Sequence, residues 1–191
     1  MPDLNISRLD IPKWCATQGA DKVAVEVGTY RGVYADHWCT TCPGVLHCVD
    51  PWTHQADWAD MLNHDQPTME QVYVEACERL APHTAAKRCV IHRTGSVTAS
   101  QMVWAHDLDV VYLDARPDFP SVMLDLVAWF PKVRKRGIIG GHDFLDATHG
   151  DTVFGVKPAV EQFFRGQGYD LDTELLIVRD GSYPSWLVRV R

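Results

Sequence analysis

Hydrophobic positions in this chain fall in short unbroken runs rather than in alternation with polar ones. Lys22 to Val27 reads KVAVEV, apolar and largely β-branched but for Lys22 and one carboxylate. Similar runs recur at Val45 to Val49, Arg88 to His92, Val110 to Leu113 and Gly137 to Gly140. Such runs predict strands covered on both faces. Between them, Val33 to Thr41, Met69 to Leu80, Thr98 to Ala105 and Pro120 to Arg134 are spaced as helices. The alternation predicts an α/β fold: a mostly parallel sheet with right-handed crossovers and helices on both faces. Ligands of such sheets bind at the carboxyl ends of the strands, near the reversal in strand order.

The rhythm changes towards the end. Lys157 to Arg165 predicts a helix stopped by Gly166 and Gly168. Asp172 to Arg179 and Ser185 to Arg191 then predict two strands around Asp180-Gly181-Ser182-Tyr183-Pro184, and so short a connection pairs them antiparallel. No repeat, linker or low-complexity segment interrupts the chain, so residues 1–191 are expected to form one domain. Residues 1–20 read as a helical extension, with Leu4 to Ala16 packing on the sheet or on the second subunit of a homodimer.

Composition narrows the partners. At 191 residues, with 46% hydrophobic and 23% charged, the chain can bury a sizeable core and is ordinary for a globular protein. Its net charge of −7 argues against a nucleic-acid partner and leaves small molecules open. No apolar run approaches the roughly 18 residues a membrane span needs. The start, MPDLNISRLDIPKW, lacks the regions of a signal peptide, which makes the cytoplasm the expected compartment. Cys15, Cys39, Cys42, Cys48, Cys77 and Cys89 are then expected to stay reduced. His37, Cys39, Cys42, His47 and Cys48 include a zinc-like spacing, but no second Cys pair follows, and packed thiols are the better reading.

The first strand ends in Gly28-Thr29-Tyr30-Arg31-Gly32, a glycine-bounded turn suited to bringing bare backbone up to a ligand. Its spacing is not Gly-x-Gly-x-x-Gly, which counts against a nicotinamide-dependent oxidoreductase, the nearest enzymatic rival. A cofactor-binding protein without catalysis is a third reading. Asp50 ends the second strand, where a carboxylate can accept both hydroxyls of a ribose. Asp114 ends the fourth strand and His142-Asp143 the fifth, so parallel pairing brings them to one cleft.

Four segments, VEVGTYRG, LHCVDPW, DVVYLDARPDF and GGHDF, with the closing GVKPAVEQFF and SWLVRVR, resemble the class I S-adenosylmethionine-dependent methyltransferases. The likeness is greatest to a small bacterial-type subgroup whose fifth strand ends in Gly-His-Asp-aromatic. It implies a Rossmann-like fold with a seven-stranded sheet ordered 3-2-1-4-5-7-6. It implies S-adenosylmethionine as cofactor, held by Glu26, Gly28, Thr29, Tyr30, Gly32, Asp50, Pro51, Trp52, Gly95, Ser96 and Asp114. For Trp52 packing is the commoner reading, and for Ser96 a helix cap is an equal one. The resemblance implies methylation of a small-molecule hydroxyl, on a sugar or a natural product, with His142, Asp143 and Asp114 catalytic. Asp114 and Asp143 are also the implied ligands of Mg²⁺ or another divalent cation, or else caps of the following helices. The family's Asp-Gly-Asp-His-Ser-Tyr is here Asp114-Ala115-Arg116-Pro117-Asp118-Phe119, which removes a metal ligand and a base. Arg116 would attract an acidic substrate group. The long segment Thr53 to Pro67 reads as a cover for the site or as a solvent-side helix.

Overall fold

The computed structural model describes residues 1–102, 107–179 and 181–191. Its main sheet is built from β1 (Val23–Val27), β2 (Val45–Asp50), β3 (Cys89–Arg93), β4 (Leu108–Leu113), β5 (Val133–Gly141), β8 (Leu175–Val178) and β9 (Ser185–Arg189). The order across it is β3-β2-β1-β4-β5-β9-β8. The first five strands run parallel, and β9 lies antiparallel between β5 and β8. Counted on these seven strands alone, this is the expected 3-2-1-4-5-7-6. The labels differ because a small separate hairpin, β6 (Ala147–His149) and β7 (Thr152–Phe154), precedes the last two strands. Three-residue strands carry too little pattern to be read from sequence.

Both faces of the sheet are covered, which is why its strands lack a polar side. Ala24, Leu46, Cys48, Val110 and Tyr112 pack beneath α1 (Ile11–Thr17), α2 (Val33–Thr41) and the Leu80 turn of α3 (Gln66–Ala85). Val25, Val27, Val111, Leu113 and Ile139 pack beneath α4 (Ser96–Met102), α5 (Phe119–Trp129) and α6 (Val156–Gly166). Asp65 and Asp118 start α3 and α5 by accepting the amides of Thr68 and Ser121, at 3.0 and 3.1 Å.

Three expected boundaries shift for local reasons. Leu4 to Ser7 is not helical; a short 3-10 turn at Arg8–Asp10 leads into α1. Asp170 accepts the Asp172 amide, so Leu171–Glu174 forms one helical turn (α7) and the strand begins only at Leu175. Phe130–Lys132 tightens into a 3-10 turn, which leaves Val133 and Arg134 to β5 rather than to the preceding helix. Of the helix expected at Thr98 to Ala105, the structure gives α4 to Met102, and Val103 to Ala105 lie outside the described residues.

The strand order reverses at β1, with β2 and β3 on one side and β4 and β5 on the other, so the cleft opens at its carboxyl end. Gly28 there has φ of 94°, and a Cβ on it would lie 2.1 Å from the Asp114 carbonyl oxygen. Replacing Gly28 with Ala combines a strained backbone with a backbone clash and is expected to cost at least about 2 kcal/mol in urea unfolding. Gly166→Ala, where a Cβ meets nothing within 4 Å, is expected to be neutral or to stabilise by about 0.4–1 kcal/mol.

Candidate active site

The ends of β1, β2 and β4 are tied together by backbone. The Gly28 amide donates to the Val49 carbonyl at 2.8 Å, and the Asp114 amide to the Val27 carbonyl at 2.7 Å. Asp50, 8% exposed, braces the loop above them: Oδ2 accepts the Tyr30 amide at 2.9 Å and Oδ1 the Trp52 amide at 2.7 Å. Burial pushes its carboxyl up, and the amides of Trp52, Tyr30 and Thr29 oppose the shift.

An open cleft of about 120 Å³ lies beside this loop. Of the cofactor contacts expected from sequence, Gly28, Tyr30, Asp50, Pro51, Ser96 and Asp114 line it. Thr53, Gln55, Trp58, Leu62 and Asn63 form its outer wall, so the long segment after β2 covers the cleft rather than forming a solvent-side helix. Trp52 is turned the other way. Its ring is fully buried, 5.0 Å from that of Tyr73, and its Nε1 donates to the Tyr30 carbonyl at 2.8 Å. It supports the loop from behind and offers no surface to a ribose or adenine.

Of the other expected contacts, Gly32, Gly95, Glu26 and Thr29 stand off the cleft wall. Gly32 serves α2 as its left-handed N-cap. Ser96 does line it, but its hydroxyl donates to Asp125 and accepts from Trp129 Nε1 at 2.8 Å. Glu26 and Thr29 lie behind the loop, 2% and 4% exposed. Glu26 Oε2 and Thr29 Oγ1 are buried without a hydrogen-bond partner. Burial, followed by the nearby Asp114, pushes the Glu26 carboxyl up to about 8.

At the ends of β4 and β5, Asp114, His142 and Asp143 do converge. They line a second, smaller cleft of about 10 Å³, which shares Asp114, Ala115 and Arg116 with the first. Asp114 is ion-paired with the guanidinium of Arg8 from the N-terminal segment. Burial pushes the Asp114 carboxyl up to about 6, against the pull of Arg8. Asp143, with φ of 55°, is pushed up to about 7 by burial and by Asp114. His142 is held down at about 3 by burial and by Arg8, so its ring is neutral at pH 7. Its Nδ1 lies 3.0 Å from Ser185 Oγ, which lies 2.9 Å from the Tyr112 hydroxyl. Its Nε2 faces Asp143 Oδ1 at 3.6 Å.

These donors do not suit the divalent cation expected on Asp114 and Asp143. A guanidinium already occupies Asp114, and among the described residues no three His, Cys, Asp or Glu side chains gather as a metal site. Arg116 does not await an acidic substrate group either. Its Nε donates to Asp118 at 2.7 Å and its Nη1 to Asp57 at 3.0 Å and Gln55 at 3.2 Å, bracing the covering segment. Asp118 is spent on this brace and on capping α5. Sequence reasoning missed Arg8 and Asp125. Arg8 lies some hundred positions from its partner with no local pattern to mark it, and Asp125 reads as one polar position on a helix.

A methyltransferase-domain family model matches residues 25–144, well over half of the chain. The chain belongs to that family. No curated protein sequence matches this methyltransferase. Among solved structures it is similar to a proposed caffeoyl-CoA O-methyltransferase from Staphylococcus aureus, with 14% identity, TM-score 0.68, and 98% of this chain and 85% of that one covered. It is similar to the N-methyltransferase NodS from Bradyrhizobium japonicum, solved with S-adenosyl-L-homocysteine, at 13% identity and TM-score 0.61 over 96% and 88%. An O-methyltransferase family protein from Burkholderia thailandensis matches at 10% identity and TM-score 0.65, over 95% of this chain and 55% of that one. At such identities the likeness is one of fold. No helix among the described residues of this methyltransferase is long and apolar enough to cross a membrane.

The state of Glu26 has a measurable consequence. Its pKa rises from 4.5 to about 8 on folding, so the folded chain holds a proton that the unfolded chain has lost across that window. Stability contributed by protonated Glu26 is present below about pH 4.5 and lost as pH rises towards 8. Urea titrations at a series of pH values should show Glu26→Gln gaining on the wild type steadily through this range, by a few kcal/mol. A constant difference would mean that Glu26 is ionised throughout.

Proposed function

We propose that this methyltransferase transfers the methyl group of S-adenosylmethionine to a small-molecule hydroxyl, without a metal ion. One observation carries the reading. His142 and Asp143 converge on the wall of a small cleft that shares Asp114, Ala115 and Arg116 with the cleft lined by Gly28, Tyr30 and Asp50.

The residues of the larger cleft suit S-adenosylmethionine. Asp50 ends β2 on the cleft wall, where a carboxylate can accept the ribose hydroxyls. Gly28 and Tyr30 bring backbone to the methionine part. Bound there, the cofactor supplies a methyl group on a positively charged sulfur.

The chain's own task is then to place the acceptor and to take its proton. Asp143, near neutrality, is matched to a hydroxyl that loses its proton as it is methylated. His142 stays neutral. With Tyr112 donating to Ser185 and Ser185 to Nδ1, its proton sits on Nε2 beside Asp143, where it steadies the carboxylate. The covering segment, braced by Arg116 and by the Thr152 hydroxyl donating to Asp60 at 2.5 Å, limits water at the reacting atoms.

Calorimetry with S-adenosylmethionine, S-adenosylhomocysteine and NAD tests the cofactor directly. The first two should bind and NAD should not. Asp50→Ala should weaken binding by about 1.5–3 kcal/mol, the usual loss for hydrogen bonds to a charged group. Binding of NAD alone would replace methyl transfer with a redox reading.

A further inference from the structure

We propose that Arg8 is a positioning residue of the active site: the N-terminal segment carries its guanidinium to Asp114 at the junction of the two clefts, and docking of that segment is thereby linked to filling of the cofactor cleft. The inference rests on the proposed cofactor only in its choice of probe.

The segment is anchored first at the far edge of the sheet. The Leu4 amide donates to the Ile177 carbonyl at 2.7 Å, the Ile177 amide to the Pro2 carbonyl at 3.0 Å, and Arg179 Nε to Asp3 at 2.8 Å. This extends β8 by a bridge and covers part of its open edge. Ser7 and Asp10 then cap a single turn, with the Ser7 amide and hydroxyl donating to Asp10 Oδ2 at 3.0 and 2.8 Å. That turn aims Arg8 inward. Its carbonyl accepts the Tyr34 hydroxyl at 3.2 Å, and its guanidinium lies 4.3 Å from the Tyr34 ring centre and 5.7 Å from that of Tyr112. The Leu9 carbonyl accepts His37 Nε2 at 2.7 Å.

From this cradle Arg8 reaches the site along two routes. One is its ion pair with Asp114. The other runs through its hydrogen bond to the Tyr112 hydroxyl, then Ser185, to His142 Nδ1. Both are mechanically stiff. Asp114 is bonded through its amide to Val27, and its carbonyl abuts Gly28, so residue 114 cannot shift without moving a residue that lines the cofactor cleft. A ligand that fixes Gly28 therefore favours the docked Arg8, and a docked Arg8 favours the ligand by the same factor.

Limited trypsin digestion, read by mass spectrometry at the Arg8–Leu9 bond, tests the docking in the full chain. Cleavage should be slow in the wild type, at least about tenfold faster in Asp114→Asn, and slowed in the wild type by saturating S-adenosylhomocysteine. Calorimetry with the same probe tests the linkage. Arg8→Gln should bind it about tenfold more weakly, and Arg8→Lys should recover part of that loss. A purely structural Arg8 would instead lower the melting temperature and leave the affinity of the folded variant unchanged, which overturns the proposal. Equal cleavage in wild type and Asp114→Asn also overturns it, and this arm decides the matter if Arg8→Gln does not fold. A wild type that fails to bind S-adenosylhomocysteine contradicts the proposed cofactor, while the ligand-free cleavage comparison still judges Arg8.

Discussion

At the carboxyl end of the sheet the backbones of Gly28 and Asp114 meet with no room for a side chain between them. The contact sets the spacing of both clefts. Only glycine permits it, because the position combines a φ of 94° with a neighbouring carbonyl where a Cβ would stand. Tyr30, Trp52 and Asp143 also adopt positive φ, an unfavourable state for residues with a Cβ. The loop between β1 and α2 and the turn after β5 are thus held in shapes their residues do not prefer. Asp50, Trp52 and the covering segment supply the hydrogen bonds and packing that hold the first of them.

The same crowding shapes the electrostatics. Glu26, Asp50, Asp114 and Asp143 stand at the ends of adjacent strands, mostly out of water, and Arg8 is a cation set among them. Carboxylates so placed either stay protonated or need a partner. Asp114 takes the guanidinium, Asp50 takes two amides, and Asp143 and Glu26 are left with raised pKa values. An edge arranged in this way has proton acceptors near neutrality without a metal ion to create them.

Much of this was legible in the sequence. The runs at Val23 to Val27 and Val110 to Leu113 marked two-sided strands, and the closing pair of strands marked the antiparallel insertion, because strand periodicity is a local property. Asp50, Asp114, His142 and Asp143 were legible as strand-end polar residues, since strand ends converge in any parallel sheet. The directions of side chains were not. Trp52 points inward because a positive φ at its own backbone turns it, and Ser96 is captured by Asp125 from another helix. Arg8 and Arg116 took roles that no local pattern encodes, because each is defined by a partner reached only through tertiary packing. The donor set around Asp114 and Asp143 does not support the expected metal for the same reason: the loop lacks further ligands, and Arg8, distant in sequence, pairs with Asp114.

The account turns on a proton-accepting edge that works without a metal. Its most direct test is transfer of a labelled methyl group from S-adenosylmethionine to a panel of hydroxyl and amine acceptors, with and without chelator, in wild type and Asp143→Asn. The account predicts labelled hydroxyl acceptors, full activity in chelator, and a loss of about 10²–10⁴-fold in Asp143→Asn. Activity abolished by chelator and restored by Mg²⁺, or label carried only by amines at the same rate in both proteins, would contradict it.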